Sequence, residues 1–289
     1  MKVVFTLFLC SLFVFCGQQT GHAQQLEIGV KAGMSVYDGD LSPREFGLFL
    51  EDMNFAGGLY LRYRPRPRYG IRVNGNFGRL SAEREFVAPN ELRQPVTIER
   101  NFRSSISEFN AVLEYDLFYI GDKESNFLAG YIYGGVGVLS FNPEGTLDGS
   151  EYVELQPLST EGQGSGANPA YDATPYELTT VTGILGGGFR VRFADRIVVG
   201  VEVGGRKPGT DYLDDISSTQ INYLDILSQQ PNGGLAARFS NPAVQNVSEV
   251  DNLSYKRGGE FEDYYFVGSV TLGITIGAPG SNKSGCYKF

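Results

Sequence analysis

Residues 27–41, "EIGVKAGMSVYDGDL", separate two kinds of side chain by position. Odd positions hold Glu27, Gly29, Lys31, Gly33, Ser35 and Tyr37, and even positions hold Ile28, Val30, Ala32, Met34 and Val36. A period of two is the signature of a β-strand with unlike faces. The pattern recurs in eight segments, at about 26–37, 55–64, 69–82, 102–119, 127–141, 177–193, 196–207 and 263–277. Leu59, Leu61 and Tyr63 alternate with Tyr60, Arg62 and Arg64; Phe109, Ala111, Leu113, Tyr115 and Leu117 alternate with Glu108, Asn110, Glu114 and Asp116. Val199, Val201 and Val203 alternate with Gly200, Glu202 and Gly204.

The links between these segments alternate in length. "RPRPR" (64–68), "GDKESN" (121–126) and "ADR" (194–196) are short, whereas the links at 38–54, 83–101, 142–176 and 208–262 are long. Short turns at one end and long loops at the other are the asymmetry of a transmembrane β-barrel. The predicted fold is therefore all-β: an eight-stranded antiparallel transmembrane barrel in the outer membrane. An even strand count places both termini at the short-turn, periplasmic end.

The charged face decides between lipid and water. A soluble sandwich would direct its apolar face to a core and its charges outward. A barrel in lipid satisfies its backbone by closure and turns its apolar face to hydrocarbon. The Ile28 face then meets lipid and the Glu27 face looks inward. Lys31, Arg62, Arg72, Arg190, Arg192 and Arg206 are expected to pair there with Glu27, Glu108, Glu114, Asp116 and Glu202, because buried charges need partners. Eight strands leave an interior that side chains fill, so the barrel is not expected to be a diffusion channel. Function falls to the long loops or the short-turn face.

Composition adds exclusions. "MKVVFTLFLCSLFVFCGQQTGHA" has one Lys, an apolar run and small residues at Gly21 and Ala23, the pattern of an export signal over 1–23 that leaves a barrel domain at 24–289. Cys16-Gly17 admits lipidation, but bulky Phe15 disfavours that processing. Cleavage removes the only histidine, His22, and two of the three cysteines, leaving Cys286. A Ser-His-Asp triad, a His-based zinc site and an intrachain disulfide are thereby excluded from the mature chain. No enzymatic role, cofactor or small-molecule substrate is expected. The remaining 23 basic residues stand against 33 acidic ones, which argues against a nucleic-acid partner.

Three acidic groups invite a calcium reading: Asp38 with Asp40, Asp211 with Asp214 and Asp215, and Glu260 with Glu262 and Asp263. None has EF-hand spacing, and solvated loop carboxylates are the plainer reading. "GILGGGFR" (183–190) lacks the Lys-Ser/Thr of a phosphate loop and lies within a strand. "DYLDDISSTQINYLDILSQQ" (211–230) reads as one helix, capped by Asp214 or Asp215, with Ile216, Tyr223, Leu224 and Leu227 on one face. It would fold over the barrel mouth or dock a partner.

Five stretches carry a family resemblance: "EIGVKAGMSVYDGDL" (27–41), "RNFRSSISEFNAVLEYDLF" (100–118), "YIYGGVGVLSFNPEG" (131–145), "LQPLSTEGQG" (155–164) and "RKPGTDYLDDIS" (206–217). Together they resemble the PorG family, outer-membrane barrels of the type IX secretion system of Bacteroidetes; 83–99 and 231–261 carry no resemblance. The resemblance implies an accessory or anchor for a periplasmic ring of PorK- and PorN-like proteins. No catalytic residue carries over, and Asp40, Asp211, Tyr212, Asp214 and Asp215 form a candidate loop motif. For ring contacts, the short-turn end offers Arg64, Arg66 and Arg68, stiffened by Pro65 and Pro67, and a tail with Lys283, Tyr287, Lys288 and Phe289. The rival expectation is a generic small barrel that acts as an adhesin through its long loops.

Overall fold

The computed structural model describes residues 25–42, 52–66, 68–121, 126–193, 196–259 and 261–276. The export signal and the tail residues Lys283, Tyr287, Lys288 and Phe289 lie outside the described residues.

Eight strands form the wall: β1 (Gln25–Asp38), β2 (Asn54–Arg66), β3 (Tyr69–Pro89), β4 (Pro95–Gly121), β5 (Phe127–Ser140), β8 (Thr179–Phe193), β9 (Ile197–Pro208) and β12 (Tyr264–Ile276). Two short strands, β6 (Pro143–Gly145) and β7 (Val153–Glu154), extend the edge of β4; β10 (Gln220–Asn222) pairs with β11 (Ser254–Lys256) above the mouth. Around the wall the order is β3-β2-β1-β12-β9-β8-β5-β4, and a β3–β4 pairing closes the ring. Every pairing in the ring is antiparallel. Closure leaves no sheet edge at membrane depth, which is what hydrocarbon demands of a β-structure.

The faces run as the alternation requires. Ile28, Leu59, Phe109, Leu113, Leu185, Val201 and Leu272 are exposed on the outside, at 50–73 % of their full accessible surface. Glu27, Arg62, Arg72, Glu114, Arg190 and Glu202 are buried inside. An apolar exterior around a charged interior is the inverse of a water-soluble barrel. The chain is an eight-stranded transmembrane β-barrel, and its outer wall belongs in lipid. Towards the short turns Tyr69 pairs its ring with Tyr115 at 5.2 Å, and towards the long loops Phe55 pairs with Phe77 at 6.1 Å. Such aromatic belts mark the two interfaces of a membrane.

The structure departs from the sequence reading in two places. The stretch 83–101, expected as a loop, is mostly strand: β3 and β4 stay paired without a break from Tyr69↔Tyr115 to Pro89↔Pro95. Beyond the membrane the apolar face of this hairpin is covered by another loop, with Ala88 and Ile98 packed on Ala243. The hairpin turns at Asn90, whose Oδ1 accepts from Leu92 N and Gln94 N. The helix expected at 211–230 is also corrected. Residues 211–219 are turns, 220–222 is β10, and two short helices follow, α1 (Tyr223–Leu227) and α2 (Gly233–Ser240). The cap of α1 is Asn222, whose side chain accepts from Leu224 N at 3.0 Å, not Asp214 or Asp215.

Candidate functional site: a cap over a charged lumen

The lumen is filled by an ion-pair lattice. Glu114 sits at its centre, 2.8 Å from Arg62 Nε, 2.7 Å from Arg72 Nε and 3.2 Å from Arg190 Nη1. Glu202 takes Arg72 Nη1 at 2.7 Å, Lys31 Nζ at 3.5 Å and the Tyr131 hydroxyl at 2.9 Å. Glu27 pairs with Arg62 and accepts from Tyr60. Glu108 accepts from the Tyr265 hydroxyl and Asn76 and stands 3.7 Å from Arg206 Nε. Asp116 pairs with Arg190 and, at 3.5 Å, with Arg64. Tyrosine faces carry part of the remaining charge: Arg190 lies 4.6 Å from the Tyr131 ring and Arg72 5.0 Å from that of Tyr133.

Six cations thus meet five carboxylates among the described residues, and every one of these residues is at most 8 % exposed. A wall lined this way offers no continuous aqueous path through the described residues. One sequence expectation needs correction. Arg192, counted among the paired interior charges, has no carboxylate partner among the described residues; its Nη2 donates to Gln25 Oε1 at 2.6 Å. Register explains it. Arg192 lies opposite Phe127 and Val198, beyond the layer in which Glu114 and Asp116 sit.

Above the lattice the long loops make an ordered cap in two apolar layers. Tyr37, Leu80, Phe102, Phe141, Leu213 and Ile216 close the mouth. Leu155, Ile221, Ile226, Ala237, Phe239 and Tyr255 form a second core further out, under α1 and α2. The candidate loop motif lies between them, and all five residues converge there. Asp40 accepts from Gly259 N (2.7 Å) and Phe261 N (3.1 Å), and Asp211 from Asp263 N at 3.2 Å. The Tyr37 hydroxyl contacts Asp214 Oδ2 at 2.7 Å and Asp263 Oδ1 at 2.8 Å. Tyr212 stacks on Tyr176 at 4.6 Å, and Tyr176 donates to Asp215 Oδ1 at 2.8 Å.

These carboxylates are mostly buried and bonded to backbone amides, hydroxyls and Arg257 rather than solvated. Among the described residues no group of three His, Cys, Asp or Glu side chains is arranged to hold a metal ion. Burial, reinforced by neighbouring carboxylates, holds Asp214 and Asp263 well above the ordinary carboxyl range. Their geometry serves assembly: the motif ties together loops that arrive from three strand pairs.

Sequence reasoning missed the residues that lock this assembly. Arg257 Nη1 donates to Thr160 Oγ1 at 2.6 Å and Asp215 Oδ2 at 2.9 Å, and it stands 3.7 Å from Glu161 Oε1. Asp215 adopts φ 67°, a left-handed conformation that Asp tolerates better than most residues. Glu161 accepts from Ser217 N at 3.0 Å, yet burial pushes its carboxyl up to about 7 despite Arg257. Arg100 donates to two carbonyls, of Arg257 and Ser240, and burial beside Arg257 lowers it to about 9. Arg257 lies in the stretch 231–261, where no motif pointed to it.

At the opposite end the basic cluster divides. Arg64 is buried in the lumen, whereas Arg66 and Arg68 are exposed, and Arg68 Nη1 reaches the Tyr115 hydroxyl at 3.5 Å.

A family model described as "Domain of unknown function (DUF6089)" matches residues 6–160, more than half of the chain. The chain belongs to the DUF6089 family. No curated protein matches this family member. Among solved structures it is similar to Neisserial surface protein A, at 8 % identity over 90 % of this chain and 99 % of that one, with a TM-score of 0.38. It is similar also to the outer-membrane protease OmpT from Escherichia coli, at 9 % identity over 90 % and 99 %, with a TM-score of 0.37. A third is Ail, the attachment invasion locus protein of Yersinia pestis, at 9 % identity over 89 % and 100 %, with a TM-score of 0.33. The barrel itself is established by the closed register of this chain.

Proposed function

We propose that this DUF6089 member is a non-enzymatic component of the type IX protein secretion machinery, an outer-membrane anchor for periplasmic ring proteins of the PorK and PorN kind. The observation that carries the reading is the filled lumen. A barrel whose interior is an ion-pair lattice under a packed cap is suited to holding a place in the membrane rather than conducting through it. The five PorG-like stretches add the secretion context, and three of them, at 27–41, 155–164 and 206–217, contribute residues to the cap. Ring contacts fall to the short-turn end, taken as periplasmic, where Arg66 and Arg68 stand exposed.

Deleting the gene and following export of cargo that carries the system's C-terminal sorting domain tests the role. Export should stop and return with the intact gene. Normal export in the deletion strain would remove the proposal. A second reading, adhesion through the long loops, draws on the cap being ordered and presenting apolar side chains, Val87 at 71 % and Leu92 at 58 % exposure, at the hairpin tip. It predicts normal export with reduced surface attachment.

A further inference from the structure

We infer that the short-turn mouth of the lumen is a binding site for one phosphate group, held by Arg192 and Arg64. The charge balance inside the barrel is the first ground. Among the described residues of the lumen seven buried cations face five buried carboxylates, and each of those carboxylates already pairs with a cation other than Arg192. The surplus positive charge gathers at one end. Arg64 and Arg192 occupy the last inward-facing layer before the short turns, since Arg64 lies opposite Gln25 and Arg192 donates to Gln25.

The second ground is the state of their donors. Arg192 is 1 % exposed, with Nε and Nη1 buried and without a hydrogen-bond partner among the described residues; Arg64 is 8 % exposed, with Nε and Nη2 in the same state. Asp116, 3.5 Å from Arg64, is already engaged by Arg190, and Glu27, whose charge acts on both arginines, is already paired with Arg62. Buried N–H groups of a cation cost far more unpaired than paired, and cost most where the charge is also uncompensated.

Two guanidinium groups with four unused donor nitrogens match a tetrahedral oxyanion with several acceptor oxygens. Arginine's planar fork binds phosphate in two-point fashion. The Arg192 side chain is also held from behind by the Phe127 ring at 4.8 Å, which fixes the guanidinium without using a donor. Because Phe193, the next residue, is exposed to lipid on the outer wall, the site lies at the level of the strand ends, where phospholipid headgroups also lie. The phosphate therefore has two sources, a free ion or a lipid headgroup folded over the rim.

The test uses the full mature chain refolded in a maltoside detergent free of phosphate. Inorganic phosphate and a short-chain phosphatidylglycerol are titrated separately by calorimetry into the parent, Arg192→Gln and Arg66→Gln. The parent should bind at least one of them saturably, Arg192→Gln at least tenfold more weakly, and Arg66→Gln like the parent. Binding of both ligands assigns the site to the free ion, and binding of the lipid alone assigns it to the headgroup. Heat-modifiable gel mobility checks folding, and if Arg192→Gln does not refold, Arg64→Gln carries the same expected loss. A parent that binds neither ligand, or an equal loss in Arg66→Gln, overturns the assignment.

Discussion

Arg72 Nε stands 2.7 Å from Glu114 Oε1, and both side chains are 1 % exposed. Arg62 and Arg190 reach the same carboxylate from other strands, so one acidic side chain on β4 bridges three arginines from β2, β3 and β8. The relationship joins half of the wall through its centre.

Glu114→Ala should therefore destabilise the barrel by about 3–5 kcal/mol, because it leaves buried arginines without their common counter-charge. Glu114→Gln, which keeps the shape and a hydrogen-bonding oxygen, should cost less. Urea midpoints read from heat-modifiable mobility compare the two, and a Glu114→Ala barrel as stable as the parent would mean that water reaches the lattice.

Val201 faces outward on β9 at 52 % exposure. Val201→Arg should cost about 2–4 kcal/mol near the midplane, and Val201→Leu close to nothing. The lumenal neighbour Gly200 is a poor control, because a Cβ there would meet Thr271 Oγ1 at 2.8 Å and the Phe189 carbonyl at 2.9 Å. Refolding yield in vesicles measures the difference, and equal yields would place Val201 away from lipid.

The cap should be firmer in mild acid than at neutral pH. Glu161 titrates near 7 when folded against an ordinary 4.5, so the folded chain holds its proton more tightly than the unfolded chain. The stabilisation is fully present below 4.5 and is lost as pH rises through about 7, a change of about 3 kcal/mol. Asp214 and Asp263 are shifted in the same direction. Proteolysis of the 159–176 loop at pH 5 and pH 8 provides the check; faster cleavage at pH 5 would reverse the sign.

Arg257→Ala should loosen the cap and spare the wall. It strands Asp215 and Glu161 without their cation, at a local cost of about 3–5 kcal/mol. Hydrogen exchange should rise across 155–176 and 211–219 while the barrel strands stay protected. Uniform exchange throughout would mean that cap and wall unfold together.

The wall was legible in the sequence because each of its residues meets one of two opposite environments. Ile28 and Glu27 differ by lipid against lumen, and that contrast repeats every second residue along all eight strands. The residue types of the lattice were visible for the same reason; the pairings were not, since Arg190 meets Glu114 from 76 positions away. The cap was largely hidden. Asp214 and Asp215 looked like a helix cap, but a left-handed φ at Asp215 makes them a turn, and the bond from Arg257 to Thr160 spans 97 positions. The paired extension of the β3–β4 hairpin was hidden because its apolar face is covered by Ala243, supplied from a distant loop.

The sequence contains no Trp, so a single introduced one reports its own surroundings. Leu113→Trp and Leu185→Trp place an indole on the outer wall, where the native side chains are 66 % and 73 % exposed, and Tyr133→Trp places one in the lumen, where Tyr133 is 3 % exposed. The decisive measurement is fluorescence quenching of each variant in bilayers whose acyl chains carry bromine. Strong quenching at 113 and 185 with little at 133 is the result predicted by a lipid-facing apolar wall around a filled, charged lumen. Equal quenching at all three, or quenching strongest at 133, would contradict it.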